Sequence, residues 1–340
     1  MGTSEPLVSV IVPVRNDSAG IRELLRRLAE QTVAQDQFEV VIGDDGSRPG
    51  ELAGIATADG RVSVVSRPPR TSYAARNRAA ARGRGRLLAF CDSDCLPEPT
   101  WLEQGLRAIE GADVVAGEVT FVAPDRPTAW SLLTIDMFLD QERNARFARA
   151  VTANMFVRRE LFDAVGGFDE SLPSGGDYDF ARRSVESGRR LVYAPDAVVC
   201  HPTIDRRRPF LRKVWNTNRW AALRRARARR PPELASILTL VPVLGVLIIR
   251  RRVLRPMWGL HGGRLAAAGL RPDRWQHLRA MAVLHFVVSY VAALGWIRGW
   301  LEGCRHRRRN RAAAVATRGH SQSRTDPKPR LLAVAINDEP

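Results

Sequence analysis

Short, predominantly apolar runs alternate, over the first two hundred residues, with stretches whose apolar positions recur every three or four residues. Leu7–Val12 is such a run, stopped by Pro13, and Phe38–Gly43, Val62–Val65, Leu87–Phe90 and Asp113–Ala116 repeat the theme. Apolar runs this short read as strands, and the most continuous of them as strands buried on both faces. Between them, Asp17 and Ser18 head a helix with Ile21, Leu24, Leu25 and Leu28 on one face. Ser72 caps a second helix through about Ala81, and a third runs from about Thr100 to Glu110. Strands alternating with helices predict an α/β fold around a doubly wound, mostly parallel sheet. Past Gly117 the period loosens. Thr128–Phe147 reads as one helix, Arg159–Val165 as a short one ended by Gly166-Gly167, and another opens at Gly175-Gly176 and runs to Ser187. Val192-Tyr193 and Ala197–Cys200 read as brief strands ending at His201.

The last third has a different pattern. Between Arg206 and Arg230 there are eleven cations and no acid, with Phe210, Val214, Trp215, Trp220 and Leu223 interspersed. Aromatic and cationic faces on one helix suit an anionic bilayer surface. Leu234–Ile249 is then sixteen residues without a charge, and Ala280–Ile297 is eighteen whose ionisable members are His285 and Tyr290. At ~1.5 Å per residue these would span about 24 and 27 Å, slightly short of a ~30 Å hydrocarbon core. A two-helix membrane hairpin is the expectation, with interfacial or protein-packed helices as the alternative. The eight arginines of the intervening loop leave its orientation open. The predicted organisation is an α/β domain over 1–205 and a basic amphipathic interfacial segment over 206–232. Two hydrophobic membrane-associated helices with a basic loop follow over 233–301, then a basic, disordered tail over 302–340.

A chain of 340 residues can hold one substantial core plus appendages. The formal net charge of +17 is carried by arginine, since Lys213 and Lys328 are the two lysines. Such a balance implies a polyanionic partner. Most carboxylates lie before His201, and this asymmetry favours a membrane surface over nucleic acid. Cys91, Cys95, Cys200 and Cys304 lack metal-binding CxxC spacing, and reduced thiols in a cytosolic domain are expected. Val8–Val12 begins too early and is too short for a secretory leader.

The candidate chemistry starts at Asp92-Ser93-Asp94, directly after a buried strand and before Pro97 and Pro99. Two carboxylates on alternate residues can converge on one hard cation, Mg²⁺ or Mn²⁺. Ligands of open α/β sheets sit beyond the carboxyl ends of the strands. An isolated Asp-x-Asp is more often a pair of acids in a solvated loop. Here the pattern recurs: Asp44-Asp45 ends the second strand, and Asp177-x-Asp179 opens a helix. Three such features in one α/β domain point to a shared cleft.

Together with Val8-Ser9-Val10-Ile11-Val12-Pro13-Val14, Asp44-Asp45-Gly46-Ser47, Ala75-Arg76-Asn77 and Phe90-Cys91-Asp92-Ser93-Asp94, three later pieces form an ordered set. These are Gly166-Gly167-Phe168-Asp169, Gly176-Asp177-Tyr178-Asp179-Phe180 and the stretch from Ala194 to His201. Over residues 7–201 the set resembles a family 2 glycosyltransferase of the GT-A fold. The resemblance implies that Asp44 or Asp45 accepts a hydrogen bond from a nucleotide base, with Pro13 and Arg15 bordering the pocket. It places Arg76 near the base and diphosphate, and Asn77 as a brace for the loop. Asp92 and Ser93 would approach the donor, and Asp92, Asp94 and His201 the cation. Asp177 aligns with the general base of an inverting transfer. Asp179 is left as an orienter or a helix N-cap, and Trp130, Asn154 and the 128–147 helix would border the acceptor. The chain departs from the family pattern at Gly176 (where Glu is usual), Arg15, Arg48-Pro49, Thr71 and Ala79.

The implied function is metal-dependent transfer of a sugar from a nucleoside-diphosphate sugar, UDP- or dTDP-linked, to a hydroxyl of a lipid-linked or envelope-polysaccharide acceptor. The expected location is the cytoplasmic face of the membrane. A nucleotidyltransferase would instead show a Gly-rich, basic phosphate loop after the first strand, which Pro13-Val14-Arg15-Asn16-Asp17 does not resemble. A basic binding protein with a degenerate transferase domain would bind RNA or DNA with steep salt dependence; nucleic acid is not the expected partner.

Overall fold

The structure, a computed structural model, describes residues 5–122, 124–227, 231–232 and 287–306. The unbroken apolar runs form the parallel half of an eight-stranded sheet ordered β3-β2-β1-β4-β7-β6-β8-β5. β1 (Val8–Val14) lies between β2 (Phe38–Asp44) and β4 (Leu87–Cys91), and β3 (Val62–Ser66) pairs outside β2. Every residue of β1, β2 and β4 is buried, which is why their sequences show no alternation. α1 (Ser18–Ala29) and α3 (Trp101–Glu110) cover one face, packing Ile21, Leu24, Trp101 and Leu102 against Val8, Val10 and Val12. α2 (Ser72–Arg82), α6 (Arg159–Val165) and α7 (Gly176–Glu186) cover the other, where Phe162 and Phe180 meet Leu88 and Phe90. Asp17 caps α1 as expected, its side chain accepting from Gly20 N–H. The cap of α2 is Thr71, one residue before the expected Ser72.

The second half of the sheet is less regular. β6 (Val114–Val122) runs beyond the expected Ala116, and β5 (Leu96–Pro97) adds a two-residue edge. β7 (Asn154–Arg158), which the hydrophobic pattern did not reveal, lies antiparallel between β4 and β6. The two brief strands before His201 are one, β8 (Leu191–Pro202), whose pairing with β6 shifts register between Gly117 and Glu118. The single helix expected over 128–147 is divided into α4 (Ala129–Met137) and α5 (Gln141–Arg146). Phe138 is extended and Leu139 takes a left-handed φ of 56°, so no helix can pass through.

α8 (Arg207–Arg227) begins where the basic segment was expected, and it is docked on the domain. Phe210 and Val214 are buried with Leu133 of α4 and with Val288 of α9, a helix over 287–306. Gly295, Gly299 and Gly303 place α9 directly on the α8 backbone; a Cβ at Gly295 would stand 2.8 Å from the Trp215 carbonyl oxygen. Glu302 closes the contact by accepting from Arg219 at 2.9 and 3.0 Å. Residues 287–297 of the second long apolar stretch are therefore packed on protein. Among the described residues no helix is long and apolar enough to cross a membrane. Leu234–Ile249, residues 280–286 and the tail from 307 lie outside the described residues.

Candidate active site

The carboxyl ends of β1, β2 and β4 open onto one side of the sheet. At the first two, Asp45 N–H donates to the Val14 carbonyl at 2.9 Å. Asp44 and Asp45 then diverge in role. Asp44 Oδ1 accepts from Ser47 N–H at 2.8 Å and closes the turn around Gly46, whose φ is 77°. Across the two loops Asn16 N–H donates to Ser47 Oγ at 2.9 Å, and Asn16 Oδ1 accepts from Arg48 N–H at 2.8 Å. Asp45 instead accepts from Arg70 N–H at 2.8 Å and lies 3.9 Å from the Arg78 guanidinium. Asp45 is thus the carboxylate turned toward α2, while Asp44 shapes the loop. Pro13 is buried in β1, and Arg15 is exposed at the loop that follows.

Beyond β4, Asp92 forms an ion pair with Arg76, whose side chain is 6% exposed. Ser93 Oγ donates to Asp17 Oδ2 at 2.7 Å and so braces the start of α1. Asp94 turns the other way, toward β8, with its Oδ1 3.7 Å from His201 Nε2. The His201 tautomer follows from its other nitrogen: Nδ1 lies 2.7 Å from the Pro202 carbonyl, which can only accept. Nδ1 therefore donates, and Nε2 is the nitrogen that faces Asp94. Ligand atoms of Asp94, Cys95 and His201 all lie within 4.8 Å of one another. A hydrogen bond with Cys91, together with burial, pushes the Cys95 thiol well up. It therefore stays protonated and ill-suited to a hard cation. Carboxylate and imidazole are the donors that fit Mg²⁺ or Mn²⁺, and they come from Asp94 and His201. Asp92 is nearby but committed to Arg76.

Asp177 occupies the first turn of α7, and its Oδ1 accepts from Tyr73 Oη at 3.0 Å and Tyr178 N–H at 2.9 Å. Burial pushes its carboxyl up, against the Tyr178 N–H, the charges of Arg76 and Arg224 and the Tyr73 hydroxyl. Tyr73 also explains the departure at Gly176, since a Cβ there would stand 2.9 Å from its ring carbons. A side chain in that place would force the Tyr73 ring or the start of α7 to shift. Asp179 is not the cap of α7, which is Gly175 at φ 74°. It binds Arg182 at 2.9 Å and Arg183 at 2.7 Å, and Arg183 reaches the Val165 and Gly167 carbonyls. Asp179 therefore ties α7 to the glycine turn after α6. Asn77 braces the same region, donating to the Phe168 carbonyl and accepting from Phe168 N–H at 2.8 and 3.0 Å.

The acids that seemed scattered in sequence are joined through residues 70–78. Arg70 and Arg78 meet Asp45, Arg76 meets Asp92, and Tyr73 meets Asp177. Two further cations come from α8. Lys213 sits 4.8 Å over the Phe138 ring; burial pushes its ammonium down, against the charges of Asp92 and Asp94. Arg224 packs over Gly175 and donates to the Ser174 carbonyl, with Asp177 and Asp179 nearby. Neither was singled out from sequence, although Lys213 is one of only two lysines. Of the residues expected to border the acceptor, Asn154 is structural and Trp130 is half-buried. Asn154 is fully buried and binds Trp101 Nε1 and the Glu118 and Ala197 carbonyls, at 2.9, 2.7 and 2.7 Å. Trp130 packs on Phe210 at 5.4 Å between ring centres.

The chain is 36% identical over 219 residues to the glycosyltransferase AglE of Haloferax volcanii, covering 62% of this chain and 70% of that protein. It is 32% identical over 211 residues to a pre-mycofactocin glycosyltransferase of Mycobacterium tuberculosis, covering 59% of this chain and 43% of the relative. Among solved structures it resembles mannosyltransferase PcManGT from Pyrobaculum calidifontis in complex with GDP-Man and Mn²⁺. That match has a TM-score of 0.54 at 20% identity, over 87% of this chain and 88% of the other. At that identity the likeness establishes the fold, which is GT-A-like. Residues 9–166 match the model of Glycosyl transferase family 2, and with these relatives the chain belongs to that family and is a glycosyltransferase that uses nucleotide sugars.

Proposed function

We propose that this glycosyltransferase inverts the anomeric centre of a UDP- or dTDP-linked sugar and transfers it to a hydroxyl of a lipid-linked or envelope-polysaccharide acceptor. One observation carries the reading: residues 70–78 gather Asp45, Asp92 and Asp177 on one side of the sheet, and Asp94 and His201 complete the cleft. Asp45 receives the base, beside the loop carrying Arg15. Arg76 and Asp92 face the ribose and diphosphate. Asp94 and His201 would hold Mg²⁺ or Mn²⁺, which when bound neutralises charge on the departing diphosphate. Lys213 stands on the same side, its ammonium pushed down by burial and favoured by the charges of Asp92 and Asp94. Asp177 takes the proton of the acceptor hydroxyl, because a sugar hydroxyl is a poor nucleophile until a carboxylate within hydrogen-bond reach removes it. The Tyr73 hydroxyl and the Tyr178 N–H hold that carboxylate in place.

The outer side of α8 supports a location at the cytoplasmic membrane face, since Arg207, Arg208 and Arg212 are exposed there. Co-sedimentation with phosphatidylglycerol vesicles, but not with phosphatidylcholine vesicles, tests this; failure to sediment with either removes the membrane from the reading. The chemistry is tested by screening nucleotide sugars with Mn²⁺ or Mg²⁺ and following nucleoside diphosphate release. Asp177→Asn is expected to lose release by at least about a hundredfold. Equal rates in parent and variant would remove Asp177 from the base role.

A further inference from the structure

The turn after β4 is closed on itself by Cys95 N–H, which donates to the Asp92 carbonyl at 3.2 Å. Its three polar side chains leave toward three different elements. Asp92 pairs with Arg76 of α2, Asp94 turns to His201 of β8, and Ser93 Oγ donates to Asp17 Oδ2 at 2.7 Å. The Asp94 side chain is 47% exposed, and at 3.7 Å from His201 Nε2 it lies beyond hydrogen-bond length. Its aim therefore depends on the backbone of the turn. Asp17 holds that backbone with one carboxylate oxygen, while the other caps α1 by accepting from Gly20 N–H at 3.1 Å. Gly20 lets the first turn of α1 come down on the same place, since a Cβ there would stand 2.7 Å from the Ser93 carbonyl oxygen.

Asp17 is itself held by its neighbours in sequence. Asn16, at a left-handed φ of 55°, donates to Ser47 Oγ and accepts from Arg48 N–H. Ser18 Oγ donates to Glu51 at 2.8 Å. Three successive residues thus join the loop that carries Asp45 to the turn that carries Asp94. A helix cap uses one side-chain oxygen, and the second oxygen of Asp17 goes to the residue between Asp92 and Asp94. We propose that Asp17 is a positioning residue for the metal: through Ser93 it holds the turn so that Asp94 can share a cation with His201. This rests on Asp94 and His201 as the groups that hold the cation. Outer partners that orient a ligand set metal affinity without touching the metal.

Two exchanges cut the tie from opposite ends. Ser93→Ala removes the donor and leaves the cap of α1. Asp17→Ser keeps an oxygen for Gly20 N–H but is too short to meet Ser93 as well. Asp17→Asn spans both contacts, its oxygen at Gly20 and its amide at Ser93 Oγ. Mn²⁺ is titrated into the full chain with UDP present, and free Mn²⁺ is read by electron paramagnetic resonance. Ser93→Ala and Asp17→Ser should each weaken Mn²⁺ binding about tenfold, and the double variant no more than either alone. Asp17→Asn should stay within about threefold of the parent. An Asp17 that only caps α1 would lower thermal stability when exchanged for Ser, leave Mn²⁺ affinity untouched and make Ser93→Ala silent. Parent affinity in both Ser93→Ala and Asp17→Ser, or losses that add in the double variant, overturns the proposal. Asp94→Asn keeps the two readings apart. If it loses Mn²⁺ while the tie variants keep it, the tie alone fails; if it binds like the parent, the cation lies elsewhere and both fall.

Discussion

Replacing Tyr73 with Phe removes a single hydroxyl and leaves the ring where it packs, 5.5 Å from Phe168 and beneath Gly176. What is lost is the donor to Asp177 Oδ1 at 3.0 Å. A hydrogen bond to a charged group is worth about 1.5–3 kcal/mol, which corresponds to about one to two pKa units. Burial already holds the Asp177 carboxyl above its ordinary value, and the hydroxyl acts against that, as do Arg76, Arg224 and the Tyr178 N–H. Removing it pushes the carboxyl further up. A general base works when ionised, so the acid limb of the kcat profile should move to higher pH by about one to two units. Below the new limb the variant loses about tenfold per unit, and above it activity returns. The assay is nucleoside diphosphate release across a pH series, with thermal unfolding as a check that the fold persists. An acid limb that stays put, or a loss that alkaline pH does not repair, would refute Tyr73 as the group that tunes the base.

Exchanging Asp94→Asn or His201→Gln should raise the Mn²⁺ concentration for half-maximal activity about tenfold or more, while Cys95→Ala should leave it near the parent value; a metal titration decides. Asn154→Ala orphans Trp101 Nε1 and the Glu118 and Ala197 carbonyls inside the core. At about 1–3 kcal/mol per buried unpaired group, urea denaturation should show a loss of about 3 kcal/mol or more. Glu39 is pushed up by burial, but hydrogen bonds from Arg84 and Ser9 outweigh this and hold it below its ordinary value of 4.5. Its folded pKa is depressed, so its stabilisation is present above about pH 4.5 and fades as pH falls through the folded value. The stability gap between parent and Glu39→Gln, measured by urea denaturation, should be open at neutral pH and close in acid.

The parallel half of the sheet was legible because β1, β2 and β4 are buried throughout, so their sequences are predominantly apolar, and acids follow at the ends of β2 and β4. β7 was not, because its first residue is an asparagine and its neighbours Val151–Ala153 give no turn signal. Asn154 reads as a polar residue near a site. It is instead the internal partner for the carbonyls left where β6 and β8 shift register. The break between α4 and α5 was hidden for a different reason: it rests on Leu139, a residue type that carries no breaking signal. Tyr73 and Asp177 are 104 positions apart, and only the fold shows that the first explains the glycine before the second.

The basic segment was the hardest part to read, since hydrophobic and cationic residues mixed along one helix describe a membrane surface and a docked helix equally well. The difference lies in which cations find carboxylates. Asp45, Asp92, Asp94 and Asp177 are carboxylates, and like charges brought near one another repel unless a cation or a metal offsets them. Each is met by a positive or metal-binding partner: Arg78 for Asp45, Arg76 for Asp92, His201 for Asp94, and Arg224 near Asp177. α2 supplies the first two and α8 the last, with Lys213 between them. The formal charge of +17 is thus not only an outward feature of the chain. A share of it is turned inward, toward these carboxylates.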